Sequence, residues 1–255
     1  MHEDTTWFDY LPGYHNLELY FKHYLGRTWS NSIFPPQEHF SITHLILTII
    51  VFLFLIIMGV RFYIRAKRPE SVIPSDKLTF FSFFDLIFDW IYGLALETLE
   101  DPKDVGIVFS VAAGIFIYIL FANFIGLIPG LEAPSMHLQF NLSMAIVVFV
   151  LTHYFGIKKH KFAYIKQFLG DVWYMSPLFF VLEIISHLAR PLSLTVRLLG
   201  NMFADHKIVG LFSLMFPLIL PLPFMFLGLF VAFLQAGVFM MLAIIYFSLA
   251  MSEEH

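Results

Sequence analysis

ITHLILTIIVFLFLIIMGV, residues 42–60, holds nineteen residues without one Asp, Glu, Lys or Arg. At 1.5 Å per residue such a run makes about 28 Å of helix, enough for one bilayer crossing. RFYIRAKRPE follows at 61–70 and carries Arg61, Arg65, Lys67 and Arg68. A basic cluster directly after a span favours the cytoplasmic side. The segment 1–41 is therefore expected outside, and residues 42–64 are expected to cross. Met1–Tyr10 (MHEDTTWFDY) is acidic and polar. It lacks the basic flank and apolar core of a cleavable signal, and it is not an Arg-rich transit peptide. The first span is thus expected to insert the chain itself, in a bacterial inner membrane.

Composition extends this reading to the whole chain. Of 255 residues, 59% are hydrophobic and 13% charged, where soluble domains are nearer half and a quarter. Mean hydropathy is +0.78. The chain reads as an all-α polytopic membrane protein, with one membrane domain over 42–255. It has no cysteine, which removes disulfides, iron–sulfur clusters and thiolate zinc sites together.

Working outward, further spans are expected at 105–128, 138–157, 177–216 and 224–250. Pro129-Gly130 ends the first of these, and Pro217, Pro221 and Pro223 break the chain before the last. The two connections read as inner hold ten of the 15 Lys and Arg residues, including Lys158, Lys159, Lys161 and Lys166, whereas 129–139 holds none. Five spans place the N-terminus outside and the C-terminus inside. The last two segments exceed a bilayer's thickness and must tilt strongly or overshoot.

TFFSFFDLIFDWIYGLALETLE, residues 79–100, reads differently. Ser82, Asp85, Asp89 and Gly93 form a polar stripe at helical spacing, and phenylalanines and isoleucines cover the rest. Two central aspartates would be costly in a span, so an amphipathic helix lying at the interface is expected. The alternative is a sixth span whose aspartates face protein.

The stretch 177–216 concentrates the chemistry. Glu183, His187, Arg190, Arg197, Asp205, His206 and Lys207 interrupt it. A charge at mid-membrane costs roughly 2.5–3.5 kcal/mol on insertion scales. Arg197 is the one least able to snorkel to a surface. Its neighbours three and four positions away are Ser193, Leu194, Gly200 and Asn201, and none is a carboxylate. Arginine keeps its proton in a protein, so Arg197 is a fixed charge and not a relay. Such a charge favours the ionised form of a carboxylate brought up to it. That carboxylate must come from another helix or another subunit, unless Arg197 merely bonds neighbouring carbonyls. Glu183 and His187, spaced i,i+4, can hydrogen-bond. Asp205, His206 and Lys207 read either as proton-accessible groups or as a polar helix end. Asn201 and Gln235 read as interhelical hydrogen bonds, and Arg190, beside Pro191, as an interfacial anchor.

Other chemistries lack their residues. No HxxxH, HxxHH or HExxH occurs among the 11 histidines, and no GxxxxGK[ST] phosphate loop is present. No metal, cofactor or nucleic-acid partner is expected, and no catalysis by this chain alone. A self-contained secondary transporter or ion channel remains the alternative class, although no internal repeat supports it. A membrane oxidoreductase would need a bound metal.

Arg197-Leu198-Leu199-Gly200-Asn201-Met202 resembles the signature of the subunit a family of rotary F-type ATP synthases. Asn123–Pro129 (NFIGLIP), Glu183–Leu188 (EIISHL), Leu234–Phe247 (LQAGVFMMLAIIYF) and the ending MSEEH are similar to that family too. The likeness covers roughly 100–255; the first 100 residues agree in layout more than in motif. It implies a stator that lies against a ring of c subunits, each with a membrane carboxylate, and that is held by peripheral-stalk b subunits. Two offset half-channels would carry protons to and from the ring, with Arg197 as the essential charge between them. By the same likeness Glu183 and His206 fall on proton-accessible positions, and Asn201 and Gln235 on polar positions near the arginine. Asp205 and His187 are further candidates for the proton path. One position departs: many members carry Glu or His seven residues before Gln235, and here it is Gly228.

Overall fold

The computed structural model describes residues 7–25, 43–67, 79–99, 101–128, 131, 133–161, 164, 176–215 and 221–252. Seven α-helices account for most of them, and no strand occurs among them: α1 Tyr14–Leu25, α2 Thr43–Ala66, α3 Phe80–Thr98, α4 Pro102–Ile125, α5 Leu138–His160, α6 Ser176–Met215 and α7 Pro221–Met251. Helices are what such a composition allows, because in lipid each segment must satisfy its own backbone. Four of them (α2, α4, α5 and α7) are long and apolar enough to cross a membrane. The expected 177–216 segment is helical as α6, but Arg190, Arg197, Asp205 and Lys207 keep it from equal apolarity.

Helix ends follow local chemistry more closely than hydropathy does. α4 begins at Pro102, where proline's missing N–H costs nothing, and the Asp101 side chain accepts from the Lys103 N–H at 3.0 Å. α5 continues through Lys158 and Lys159 to His160, stopping at Lys161, whose φ is 51°. Pro221 and Pro223 sit in the first turn of α7 instead of breaking the chain before it. α6 runs for 40 residues, about 60 Å. It passes through Pro191, which has no N–H to donate within the helix. Asp205, His206 and Lys207 are therefore not a helix end, since α6 continues to Met215.

α4 and α7 form the centre. Within their span-length windows, 56% of α4 is buried but only 11% of α2. Ala112, Phe116 and Ile119 of α4, and Ala236, Phe239, Ala243 and Phe247 of α7, are fully buried. Alanines at 232, 236 and 243 leave room for neighbouring backbones, as close packing in lipid requires. Trp90 of α3 completes an aromatic knot with Phe116 and Phe233, at 6.0 and 6.4 Å. α3 buries Phe84, Ile87, Ile91 and Ala95, and leaves Asp85 and Asp89 exposed as their stripe predicts.

Two sets of bonds tie the ends of the bundle. At one end Asn141 Nδ2 donates to the Ser135 carbonyl at 2.6 Å, and Tyr14 Oη lies 2.5 Å from Thr43 Oγ1. At the other, Lys159 Nζ meets Asp104 at 2.7 Å, and Ser248 Oγ donates to the Thr98 carbonyl at 2.8 Å.

Candidate functional site

α6 presents two faces. Leu194, Leu198 and Met202 are buried against the bundle, whereas Val196 and Phe203 are at least half exposed. Arg197 belongs to the exposed side. Among the described residues it makes no hydrogen bond and no ion pair. The missing partner inferred from its helical neighbours is thus missing within the described fold as well. Glu183 lies on the α6 backbone, but its side chain falls outside the described residues.

One turn beyond Arg197, Asn201 Nδ2 donates to Gln235 Oε1 at 2.7 Å. The two residues expected singly as interhelical bonds are each other's partner. Gln235 is buried, so its carbonyl needs a donor there. The bond fixes α6 against α7 at the height of Arg197. In a double-mutant cycle, Asn201→Leu and Gln235→Leu should couple by about 0.5–2 kcal/mol. Detergent-unfolding midpoints of the four proteins measure it, and additive losses would show that the bond contributes nothing.

Asp205 and His206, eight and nine residues beyond Arg197, line a cavity of about 370 Å³ between α4, α6 and α7. Asn123 and Gly228 line it too. Among the described residues, Asp205 Oδ2 and Asn123 Oδ1 are buried there without a hydrogen-bond partner. Asn123 Nδ2 is used, donating to the Ala232 carbonyl at 3.2 Å. A cavity this size holds several waters, and the two orphaned oxygens are the acceptors such waters would satisfy. Gly228 adds no group of its own. A Cβ there would stand 3.2 Å from Leu127 Cδ2, the flexible end of one side chain.

On the other side of Arg197, ten residues earlier, His187 is buried with its ring centre 5.1 Å from that of His153. Arg190 lies over the Tyr246 ring at 5.3 Å, an anchoring contact to α7. His187 and Asp205 are 18 residues apart, which is five turns, so they share a face with Arg197 between them in height.

This arrangement holds ionisable groups above and below a fixed cation and, among the described residues, none paired with it. A family model described as ATP synthase A chain matches residues 41–248. The chain belongs to the ATP synthase A chain family. A relative named ATP synthase subunit a, from Desulfosudis oleivorans, is 43% identical over 222 residues, 86% of this chain and 93% of its own length. ATP synthase subunit a 2 of Syntrophotalea carbinolica is 37% identical over 219 residues, 86% of this chain and 90% of the relative. ATP synthase subunit a of Geobacter sulfurreducens is 40% identical over 191 residues, 74% of this chain and 81% of the relative. The ATP synthase A chain match includes Arg197, both cavity residues, Gly228 and the histidine pair.

Reading the sequence missed His153, Tyr164 and Tyr246. No spacing joins His153 on α5 to His187 on α6, 34 residues later; only helix packing brings them together. Among the described residues no group of three or more His, Asp or Glu is placed to hold a metal.

Proposed function

We propose that the chain is the proton-translocating stator of an ATP synthase membrane sector, with Arg197 as its working charge. The observation that carries this is Arg197 itself, exposed on α6 and unpaired among the described residues, in a member of the ATP synthase A chain family. Its partners are then the carboxylates of a c-subunit ring, delivered one at a time. A ring carboxylate is neutral while it faces lipid, because an ion there is too costly. Facing this chain, it releases its proton on one side and is held as an anion by Arg197. It then takes a proton from the other side and returns to lipid. Each charge crossing 100 mV contributes about 2.3 kcal/mol, which drives the rotation. The cavity at Asp205 and His206 serves as the outer half-channel. Glu183, His187, Asn201 and Gln235 complete the polar path around the arginine.

In this reading five helices cross (α2, α4, α5, α6 and α7), while α3 lies at the interface. The basic residues from Lys158 to Lys161 and Lys103 lie inside, and the N-terminal segment lies outside the bacterial inner membrane. At about 60 and 46 Å, α6 and α7 outrun a 30 Å core and run steeply inclined along the ring. Peripheral-stalk b subunits hold the chain against the torque. It binds no nucleotide.

Purification and reconstitution test the reading. The chain should co-purify with a small two-helix ring protein and a peripheral stalk, and alone in vesicles it should move no solute. Solute flux by the lone chain would replace the stator with a self-contained transporter.

A further inference from the structure

We infer that His187 and His153 form a two-imidazole relay that carries protons between Arg197 and the membrane face bearing Lys159; this deepens the stator reading and rests on it. The pair bridges α5 and α6, with ring centres 5.1 Å apart and planes 49° apart. At that separation of ring centres, a ring nitrogen of one imidazole comes within reach of the other ring directly or through one bridging water. His187 lies about 15 Å along α6 from Arg197, and His153 lies seven residues before His160, which ends α5. The pair therefore occupies the half of the bundle opposite the Asp205 cavity.

The surroundings hold the second ring in place. His153 Nδ1 is 2.8 Å from the Tyr164 hydroxyl, which leaves Nε2 on the opposite edge of the ring. Phe149 stands edge-on to the same ring at 4.3 Å. Tyr164 is buried and lies flat over Gly156, where any Cβ would come within 2.4 Å of its ring. Glycine at 156 is thus what admits the tyrosine that orients His153. Arg190, Tyr246 and Thr152 complete the wall beside His187. Arg190 is a fixed cation and cannot take part in transfer.

Imidazole suits this place because it can bind a proton at one nitrogen and release one from the other near neutral pH. Each passage forms one N–H bond and breaks one on each ring, leaving the ring as its other tautomer, and a ring turn or a proton shift through bridging water restores it before the next passage. A phenylalanine pair would fill the same space and carry nothing, and a glutamine pair keeps a polar group beside Tyr164 without relaying a proton. The packing role and the relay role therefore separate by experiment.

The test measures passive proton conduction through the assembled membrane sector, with the hydrolysing head removed, in vesicles. His153→Phe/His187→Phe and His153→Gln/His187→Gln are each expected to conduct about tenfold more slowly or worse. His187→Ala is expected to slow likewise and to recover when free imidazole fills the space; the Phe pair is not rescued. Wild-type conduction in either double variant overturns the relay. So does a His187→Ala variant that assembles, conducts slowly and ignores imidazole, since that pattern marks a structural role. Arg197→Ala measured alongside separates this from the parent reading. If the histidine variants conduct normally while Arg197→Ala blocks pumping, the relay falls and the stator stands.

Discussion

Arg197→Ala is expected to abolish ATP-driven proton pumping in membranes that still contain the whole complex. The residue makes no hydrogen bond or ion pair among the described residues and is exposed on α6, so its removal leaves nothing buried unsatisfied. Folding and assembly should therefore survive. In the proposed reading, a ring carboxylate brought up to it loses the fixed counter-charge that Arg197 supplies. Removing one partner of a desolvated pair costs about 3–5 kcal/mol, and each 1.4 kcal/mol is about a factor of ten. The anionic step should slow by two to four orders of magnitude, below detection with a fluorescent pH-gradient probe. Arg197→Lys keeps the sign but replaces a planar fork with a compact, strongly hydrated ammonium, and should recover little. Coupled pumping at the normal rate by Arg197→Ala would end the stator reading.

Why this site could be partly seen in the sequence is a matter of range. An unpaired arginine is visible locally, because helical geometry limits its neighbours to four positions. The polar stripe of Asp85 and Asp89 is visible for the same reason, and α3 exposes both. Asn201 and Gln235 each declare a need for a partner, but their mutual bond spans 34 residues and two helices. His153 declares nothing, since a lone histidine on an apolar helix fits many environments. Hydropathy starts the span at 105, whereas the helix α4 already begins at Pro102, because hydropathy counts only apolar residues. The Asp101-Pro102 pair that begins the helix is polar and precedes the apolar run. The same bias made Asp205–Lys207 look like an end. The helix continues because Ile208, Val209, Leu211 and Phe212 resume the apolar pattern.

Asp205→Asn combined with His206→Leu should slow pumping by about tenfold or more without loss of assembly, a smaller defect than that of Arg197→Ala. The pair lines the roughly 370 Å³ cavity and supplies its titratable groups among the described lining residues. Asparagine keeps the shape and hydrogen bonding of Asp205 but cannot bind and release a proton, and leucine removes the imidazole. Water still enters, so conduction persists at a low rate instead of stopping. Gly228 supplies the control. It lines the same cavity, and a Cβ there need only displace the end of Leu127 by a few tenths of an ångström. Gly228→Glu placed in the double variant puts a carboxylate back into the same water, from α7 instead of α6. Pumping should then rise toward the unaltered rate. What the outer path then requires is a protonatable group on the wall of this water-filled cavity. Full activity in the double variant would remove both residues from the path. Failure of Gly228→Glu to restore any flux, in a complex that assembles, would mean that the position of Asp205 on α6 matters and not merely its chemistry.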